Sequence, residues 1–403
     1  MTSFLPSTDE DLAACVRDAV ATGRKLRIKG QGSKIGWGLP VTADQEVSTA
    51  AFSGISDYEP AELVLTAGAG TSMAVIEQAL AEKQQQLAFE PADWAPLWGG
   101  QAGAGTIGGV LACNLSGPRR FQAGAARDHF LGFTAVNGRG EIYKGGGRVV
   151  KNVTGYDLPK LLAGSFGTLS IMTEVTVKVL PRAEKQRTVL LFGETAAAAN
   201  RSMIAAIGST YDIGGACHLP LALAQKSQVD FVANAGAAVT ALRLEGSGPS
   251  VAHRCAALRQ MLGGQSEELH SMRSIAFWQE VRDVVPLRAP QERVLWRVSL
   301  PPAQGAALVA ALPPDLAADW LMDWGGGLIW IAVAADKPVE RIAVLRASAV
   351  ALGGHATLMR ATDQVRRDLG VITPAALEPL MRRVKESFDP AGLFNPGRLT
   401  AGW

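Results

Sequence analysis

The chain has 403 residues, of which 48% are hydrophobic and 19% are charged. This is more apolar material than one hydrophobic core usually needs, so the sequence predicts a globular protein of two or three packed units. The 39 basic and 37 acidic residues leave a net charge of +2, which excludes a strong global field for nucleic acid or anionic lipid.

The first predicted elements alternate between helix and strand. Ser7 and Glu10 have the spacing of a capping box, and the helix that follows should stop at Gly23. Short apolar runs at Leu26–Ile28 and Leu63–Leu65 predict strands, and the stretch MAVIEQALAEK after the second one predicts a helix.

The next elements are predominantly strands. FLGFTAVNGRGEIYKGG predicts two strands joined by a turn, and SIMTEVTVKVLPR predicts a strand that ends at Pro181. Beyond Arg182 the glycine density falls, and strands such as QRTVLLF, TALRLEG, RVLWRVSL and LIWIAVA alternate with Ala-rich helices, which indicates a separate domain at 183–345. The tail predicts an amphipathic helix broken at Pro390 and a compact turn.

The four cysteines are far apart and include no CxxC pair, so this chain offers neither a zinc nor an iron–sulfur signature. Their sparse placement favours a reducing compartment. The N-terminus becomes acidic before any apolar signal region, and no run approaches the ~20 residues of a membrane span. We therefore expect a cytoplasmic protein, with docking at the inner face of the membrane available only through a complex.

Three glycine-rich segments are candidates for binding an anion through the backbone: 30–38, 68–70 and 99–109. Each could equally be a tight turn. Gly103, Gly105 and Gly108 satisfy GxGxxG, with Asp128 about 20 residues further on. The preceding DWAPLWGGQA is not an apolar strand, so the context of a Rossmann site is missing, and no Walker loop occurs.

Four motifs in order resemble a known superfamily. RIKGQGS at 27–33, GTIGGVLACNLSGPRR at 105–120, RDHFLGFTAVNGRGE at 127–141 and KNVTGYDLPKLLAGSFGTLSIMTEVTVKVLP at 151–181 resemble the FAD domain of the vanillyl-alcohol-oxidase or PCMH superfamily. GPRR, KNVTGYDL and FDPAGLFNPGR are most similar to the FAD-binding subunits of bacterial glycolate oxidases.

The resemblance implies an α+β fold. Residues 1–182 would form a PCMH-type FAD-binding domain of two α+β subdomains, and 183–345 a cap or substrate domain with an antiparallel sheet flanked by helices. Residues 346–403 would return to the FAD domain. It also implies a second flavin subunit and an iron–sulfur subunit as partners, a small 2-hydroxy acid as substrate, and FAD as cofactor.

The resemblance further implies the residues that hold the FAD. The pyrophosphate loop would consist of Gly30, Gln31, Gly32, Ser33 and Lys34, which agrees with backbone donors and one cation facing two phosphates. The residues toward the isoalloxazine would be Gly105, Thr106, Ile107, Gly108, Gly109, Asn114 and Gly117. Ile171 would lie at the adenine side of the cofactor. Asn395 would lie where the C-terminal tail returns to the FAD domain. Relatives that attach flavin covalently often use a histidine where this chain has Ser33, so we expect noncovalent FAD.

Oxidation of a 2-hydroxy acid needs a cation for the carboxylate and a base for the hydroxyl proton. Arg297, inside the strand pattern VLWRVSL, is the carboxylate candidate, with an internal salt bridge as its alternative. His355 is the candidate base, with Arg360 five residues on, and an ordinary hydrogen-bonded histidine is the alternative. The tryptophans at 296, 320, 324 and 330 suggest either an aromatic substrate box or core packing.

Related catalytic subunits carry a metal signature of the HxGDGNxH type near the C-terminus, where this chain has GGHATLMRA. We therefore expect no metal. The favoured hypothesis is a FAD subunit that oxidises glycolate to glyoxylate and passes electrons to an iron–sulfur partner. The alternatives are a self-sufficient FAD oxidase of the D-lactate type and a non-catalytic assembly subunit.

Overall fold

The structure, a computed structural model, describes residues 2–148, 155–371, 378–400 and Gly402. The start of the KNVTGYDL motif, at 151–154, lies outside these residues. The chain forms two compact units. The first consists of residues 1–116, 124–182 and 374–403, and the second of residues 117–123 and 183–373. None of the described helices is long and apolar enough to cross a membrane.

The described residues contain strands and helices in a mixed order. The strands are β1 Thr2–Phe4, β2 Leu26–Lys29, β3 Gln45–Ser48, β4 Ile55–Glu59, β5 Val64–Gly68, β6 Gln85–Gln86, β7 Phe130–Asn137, β8 Ile142–Gly146, β9 Ser170–Lys178, β10 Leu180–Pro181, β11 Lys185–Phe192, β12 Ile213–Leu219, β13 Val239–Gly246, β14 Ser266–His270, β15 Val294–Ser299, β16 Asp319–Asp323, β17 Leu328–Val333 and β18 His355–Arg360. The helices are α1 Asp9–Thr22, α2 Met73–Glu82, α3 Ile107–Ala112, α4 Arg120–Ala123, α5 Ala126–His129, α6 Leu158–Leu162, α7 Ala196–Ile207, α8 Leu221–Ala224, α9 Asp230–Ala233, α10 Gly248–Leu262, α11 Ser271–Arg282, α12 Gly305–Ala310, α13 Val339–Ala351, α14 Asp363–Leu369 and α15 Glu378–Phe388.

The N-terminal helix shows how local sequence sets an element's bounds. Thr8, not the predicted Ser7, caps α1, because its Oγ1 accepts a hydrogen bond from the N–H of Asp11 at 3.1 Å. Ser7 instead donates to the Asp11 carboxylate at 3.2 Å. Gly23 ends the helix with φ of +67°, a backbone conformation that glycine adopts without strain.

The first unit is built on two main sheets. A parallel three-stranded sheet has the order β1-β3-β2, and an antiparallel five-stranded sheet has the order β4-β5-β9-β7-β8. One core joins both sheets to α1, because Val16, Val47 and Val136 pack in the same buried cluster. Phe394 of the tail is in that cluster too, and it forms a parallel bridge with Leu26.

The second unit is built on one sheet of eight strands, in the order β14-β11-β13-β12-β16-β17-β15-β18. All its pairings are antiparallel. Side chains from α7, α10, α12 and α13 cover one face and form the core with residues such as Trp296 and Met322. The structure therefore has the α+β architecture that the sequence predicts.

The return of the tail to the first unit begins later than the predicted residue 346. Helix α13 packs on β18, and β18 pairs with β15 along its whole length, so both belong to the second unit. The chain re-enters the first unit at residue 374. The described part of the returning segment begins with α15.

Candidate functional site

The first unit contains a cleft between the loop at 30–34 and the turn at 105–109. A β-carbon at position 30 would lie 2.6 Å from Oγ1 of Thr106, so only glycine allows this close approach. Ten of the fourteen predicted cofactor residues line the cleft: Gly30, Gln31, Gly32, Ser33, Lys34, Thr106, Gly108, Gly109, Ile171 and Asn395.

The loop presents unused donors. Among the described residues, the backbone N–H groups of residues 31–34 donate no hydrogen bond. Gly32 has φ of +80°, which turns the backbone in the way that an anion-binding loop requires. Lys34 is buried and forms no ion pair with a described residue; its Nζ donates only to Oγ of Ser33, at 3.0 Å. Burial lowers the pKa of Lys34, although the charge of Asp93 opposes that shift.

The turn at 105–109 is fixed by backbone hydrogen bonds. Thr106 caps α3 by accepting from the N–H of Gly109, and the N–H of Gly108 donates to the carbonyl of Ala69 at 2.8 Å. A β-carbon at 108 would lie 2.7 Å from that carbonyl oxygen, so the turn packs directly on the backbone that follows β5. This rigid wall faces the loop that carries the unused donors.

Four predicted cofactor residues are not in the cleft lining. Gly105 and Ile107 hold the turn in place through hydrogen bonds with Met73 and Thr71. Asn114 accepts from the N–H of Arg127 through its side-chain oxygen, at 3.0 Å. Gly117 lies in the segment 117–123 of the second unit, where its carbonyl accepts from the indole of a tryptophan.

The tail completes the cleft. Asn395 accepts from the N–H of Ile28 at 2.8 Å and donates to the carbonyl of Phe166 at 2.8 Å, so it ties β2 to a second wall. Arg398, which the sequence reasoning missed, is buried and donates to the carbonyl of Lys34 at 2.7 Å. The signal for it was present, since Arg398 directly follows the NPG turn that identified Asn395.

The base of the tail is held by a buried ion pair between Lys385 and Asp389. Lys385 also donates to the carbonyls of Thr168 and Phe394, at 2.7 and 3.1 Å. The Asp389 carboxylate accepts from the N–H of Leu393 and of Phe394. Because both charges are satisfied on several sides, this pair can rigidify the turn that carries Asn395.

The donor set of the cleft fits a diphosphate, with backbone N–H groups and one buried cation. It does not fit a metal ion, and the described residues contain no group of His, Cys, Asp and Glu that could hold one. Cys113 lies in the lining, but burial raises the pKa of its thiol, so it is neutral rather than a thiolate nucleophile.

The second unit brings two of the three predicted catalytic residues together. Arg297 on β15 pairs with Thr357 of β18, and Ser299 pairs with His355. Arg297 and His355 are therefore diagonal neighbours on one face of the sheet, opposite to the face that carries Trp296 in the core. Desolvation by the surrounding side chains and the positive charge of Arg297 lower the pKa of His355.

Arg297 makes no hydrogen bond or ion pair with a described residue, and its Nε is buried. Burial and, to a smaller extent, the charge of Arg120 lower its pKa to about 10, while the charge of Asp323 opposes the shift. Its guanidinium carbon lies 5.0 Å from the centroid of the Trp324 ring, and that of Arg120 lies 5.8 Å from the same ring. Trp324 therefore contacts two arginines, whereas Trp296 packs in the core of the second unit.

Arg360 does not join this cluster. Its guanidinium donates to the carbonyls of Leu287, Arg288, Pro290 and Arg293, at 2.8 to 3.2 Å. It therefore organises the loop before β15, which is a structural role.

The other histidines have environments that explain them without catalysis. His218 is buried and shares a hydrogen bond with Thr240 at 3.0 Å, and burial lowers its pKa to about 4. His129 is buried against the ring of Phe89. His253 and His270 are exposed.

Comparison with known proteins confirms the resemblance that the motifs indicate. Residues 3–146 match the FAD binding domain family. The glycolate oxidase subunit GlcE of Escherichia coli is 37% identical over 391 residues, covering 96% of this chain and 95% of that protein. The glycolate oxidase subunit GlcD of Bacillus subtilis is 41% identical over 98 residues, covering 24% of this chain and 21% of that protein.

Among solved structures, p-cresol methylhydroxylase with substrate bound has the same fold, with a TM-score of 0.73 at 12% identity over 99% of this chain and 88% of that one. This confirms the PCMH-type architecture. FAD is accordingly the cofactor that the cleft in the first unit fits. The chain belongs to the family of FAD-binding glycolate oxidase subunits.

Proposed function

We propose that this chain is the FAD-carrying subunit of a glycolate oxidase complex, which oxidises glycolate to glyoxylate and passes the electrons to an iron–sulfur partner. The observation that carries the proposal is its likeness to the Escherichia coli subunit along nearly the full length of both chains. The buried Lys34 and the unused N–H groups of its loop add physical support, because they form a site for the cofactor's pyrophosphate.

When bound, FAD supplies a two-electron acceptor for the hydride that leaves the carbinol carbon of glycolate. The chain's own part is to hold the carboxylate and to take the hydroxyl proton. Arg297 suits the first task, because it is a buried cation with no hydrogen-bond or ion-pair partner among the described residues. His355 suits the second, because its lowered pKa keeps Nδ1 or Nε2 unprotonated and able to accept a proton near neutral pH.

The partner in this proposal follows from the cysteines. The described residues contain no group of cysteines that could hold a metal ion: Cys113 follows α3, Cys217 lies on β12 and Cys255 lies on α10. Cys15 is on a different element, α1. An iron–sulfur cluster that receives the electrons would therefore belong to another chain, as would the second flavin.

An anaerobic titration of the purified FAD-loaded protein tests the proposal. Glycolate should bleach the visible flavin absorbance when the partner subunits are present, and D-lactate is the comparison substrate. Bleaching followed by reoxidation with oxygen in the absence of any partner would instead support a self-sufficient oxidase. Flavin that stays oxidised with the complete set of partners would leave only the assembly role. The cytoplasmic location expected from the sequence stays a prediction.

The attachment of the flavin is a separate prediction. Ser33 lies in the loop of the cleft where a histidine would be needed for covalent attachment. We expect denaturation in acid to release all of the flavin into the supernatant. Yellow colour that remains on the precipitated polypeptide would contradict this.

A further inference from the structure

The segment 117–123 is part of the second unit although the chain on both sides of it belongs to the first. Several contacts anchor it. The carbonyl of Gly117 accepts from the indole N–H of Trp324 at 3.0 Å, and Nε of Arg119 donates to the Glu245 carboxylate at 2.8 Å. Further along, Phe121 packs against the core of the second unit. These anchors fix the backbone on both sides of residue 120.

The consequence of this anchoring is the position of Arg120. Its guanidinium carbon lies 5.8 Å from the centroid of the Trp324 ring, and that of Arg297 lies 5.0 Å from the same centroid. Two cations that are close to one ring repel each other, and the charge of Arg120 acts on Arg297 in this sense. A fold keeps such a pair at a cost in stability unless an anion that it binds offsets the repulsion.

Asp323 is the carboxylate that acts on Arg297, and its Oδ1 accepts from the N–H of Trp324 at 2.7 Å. Arg297 has no hydrogen-bond or ion-pair partner among the described residues. Its guanidinium is therefore able to donate to a ligand.

From this geometry we propose that Arg120 and Arg297 together hold the carboxylate of the 2-hydroxy acid, with the Trp324 ring as the surface that positions both guanidinium groups. This inference rests on the proposed function for the nature of the ligand. A planar guanidinium donates two parallel hydrogen bonds to a carboxylate, and the indole face further stabilises the cation. Trp324 is a positioning residue in this assignment, since it acts through the arginines.

Binding of oxalate to the FAD-loaded protein, measured by calorimetry, tests the assignment without turnover. Oxalate is a two-carbon dicarboxylate that cannot donate a hydride. Arg120→Gln and Arg297→Gln should each weaken its binding by roughly tenfold or more, since each removes charge-assisted hydrogen bonds. The double variant should lose less than the product of the two single effects, because both arginines hold the same anion.

The matched control is Arg201→Gln, which removes an exposed arginine on α7 of the same unit; it should bind oxalate like the unaltered protein. The lysine variants Arg120→Lys and Arg297→Lys keep the charge and should recover part of the affinity. Flavin content and melting temperature are measured for every variant to show that each is folded.

Three outcomes would overturn the assignment: no oxalate binding by the unaltered protein, unchanged binding in both glutamine variants, or inorganic phosphate that binds as tightly as oxalate. The proposed function fails separately. If oxalate binding falls in both variants while glycolate never reduces the flavin with all partners present, the anion site stands and the glycolate activity does not. If both variants still turn over glycolate normally, the activity stands and the arginine site does not.

Discussion

We propose that the cofactor cleft of the first unit and the arginine cluster of the second unit both bind an anion, by different means. The cleft uses backbone N–H groups of consecutive residues, with a single buried side chain, Lys34. The cluster uses side chains that come from three separate stretches of the chain, at positions 120, 297 and 324. The backbone site requires glycines, whose missing side chains leave the N–H groups accessible. The side-chain site requires particular charged and aromatic residues at particular positions.

The largest effect should come from filling the narrowest point of the cleft. Gly30→Val should abolish FAD retention, because a β-carbon at position 30 would lie 2.6 Å from Oγ1 of Thr106 and force the loop away from the turn. The measurement is flavin absorbance per polypeptide after gel filtration. Gly147→Ala, where a β-carbon meets open space, is the matched control and should keep its FAD.

Oxalate binding by the Gly30→Val protein sharpens this comparison. The arginine cluster lies wholly within the second unit, so its affinity for oxalate should survive the loss of FAD. Loss of FAD binding and oxalate binding together would mean that the substitution unfolds more than the loop. Retention of FAD would place the phosphate site outside this cleft.

The next prediction concerns Lys34, whose replacement should have opposite effects on the affinity for FAD and on the stability of the FAD-free protein. Lys34→Met should weaken FAD binding by about 10- to 100-fold, because the cofactor's phosphates lose a buried cation. The FAD-free form should become more stable, on the order of 1 kcal/mol, because a buried ammonium without an ion pair is removed. Flavin titration and urea unfolding of the FAD-free protein measure the two quantities. A decrease in both would show that Lys34 has a stabilising partner in the absence of FAD.

The smallest effect concerns the pKa of His355. Desolvation and the charge of Arg297 both favour the neutral imidazole and lower this pKa. Arg297→Gln removes the charge, so the pKa of His355 should rise toward the ordinary value for histidine of about 6.5. Titration of the imidazole signals by NMR measures the change, and His355→Asn assigns the signal. If the pKa of His355 falls or stays the same in Arg297→Gln, the charge of Arg297 does not lower it.

The sequence predicts the cofactor cleft better than the arginine cluster, because the cleft residues lie in short contiguous segments and the cluster residues do not. The loop at 30–34 and the turn at 105–109 are each short and contiguous, so their glycines are visible as a pattern. Arg297 was found because an arginine inside an apolar strand is conspicuous. Arg120 is visible in the sequence as part of the GPRR motif. Its proximity to Arg297 is not visible there, because it depends on the pairing of distant segments.

Long-range pairing also explains the remaining differences. The predicted boundary at 345 missed β18, since only its pairing with β15 shows that 355–360 belongs to the second unit. The resemblance implies Gly117 for the isoalloxazine side of the cofactor, and spacing alone does not show that its carbonyl accepts from Trp324 in the second unit. Arg360 has the same residue type as Arg297, but a loop of carbonyls occupies its guanidinium. Residue type and spacing do not distinguish these cases.

The contacts of Asn395 and Arg398 join distant parts of the chain at the cofactor cleft. Asn395 accepts from the N–H of Ile28 and Arg398 donates to the carbonyl of Lys34, across separations of 367 and 364 residues in the sequence. Retention of FAD should therefore depend on the docking of this returning segment, and loss of both contacts should leave an otherwise folded chain colourless.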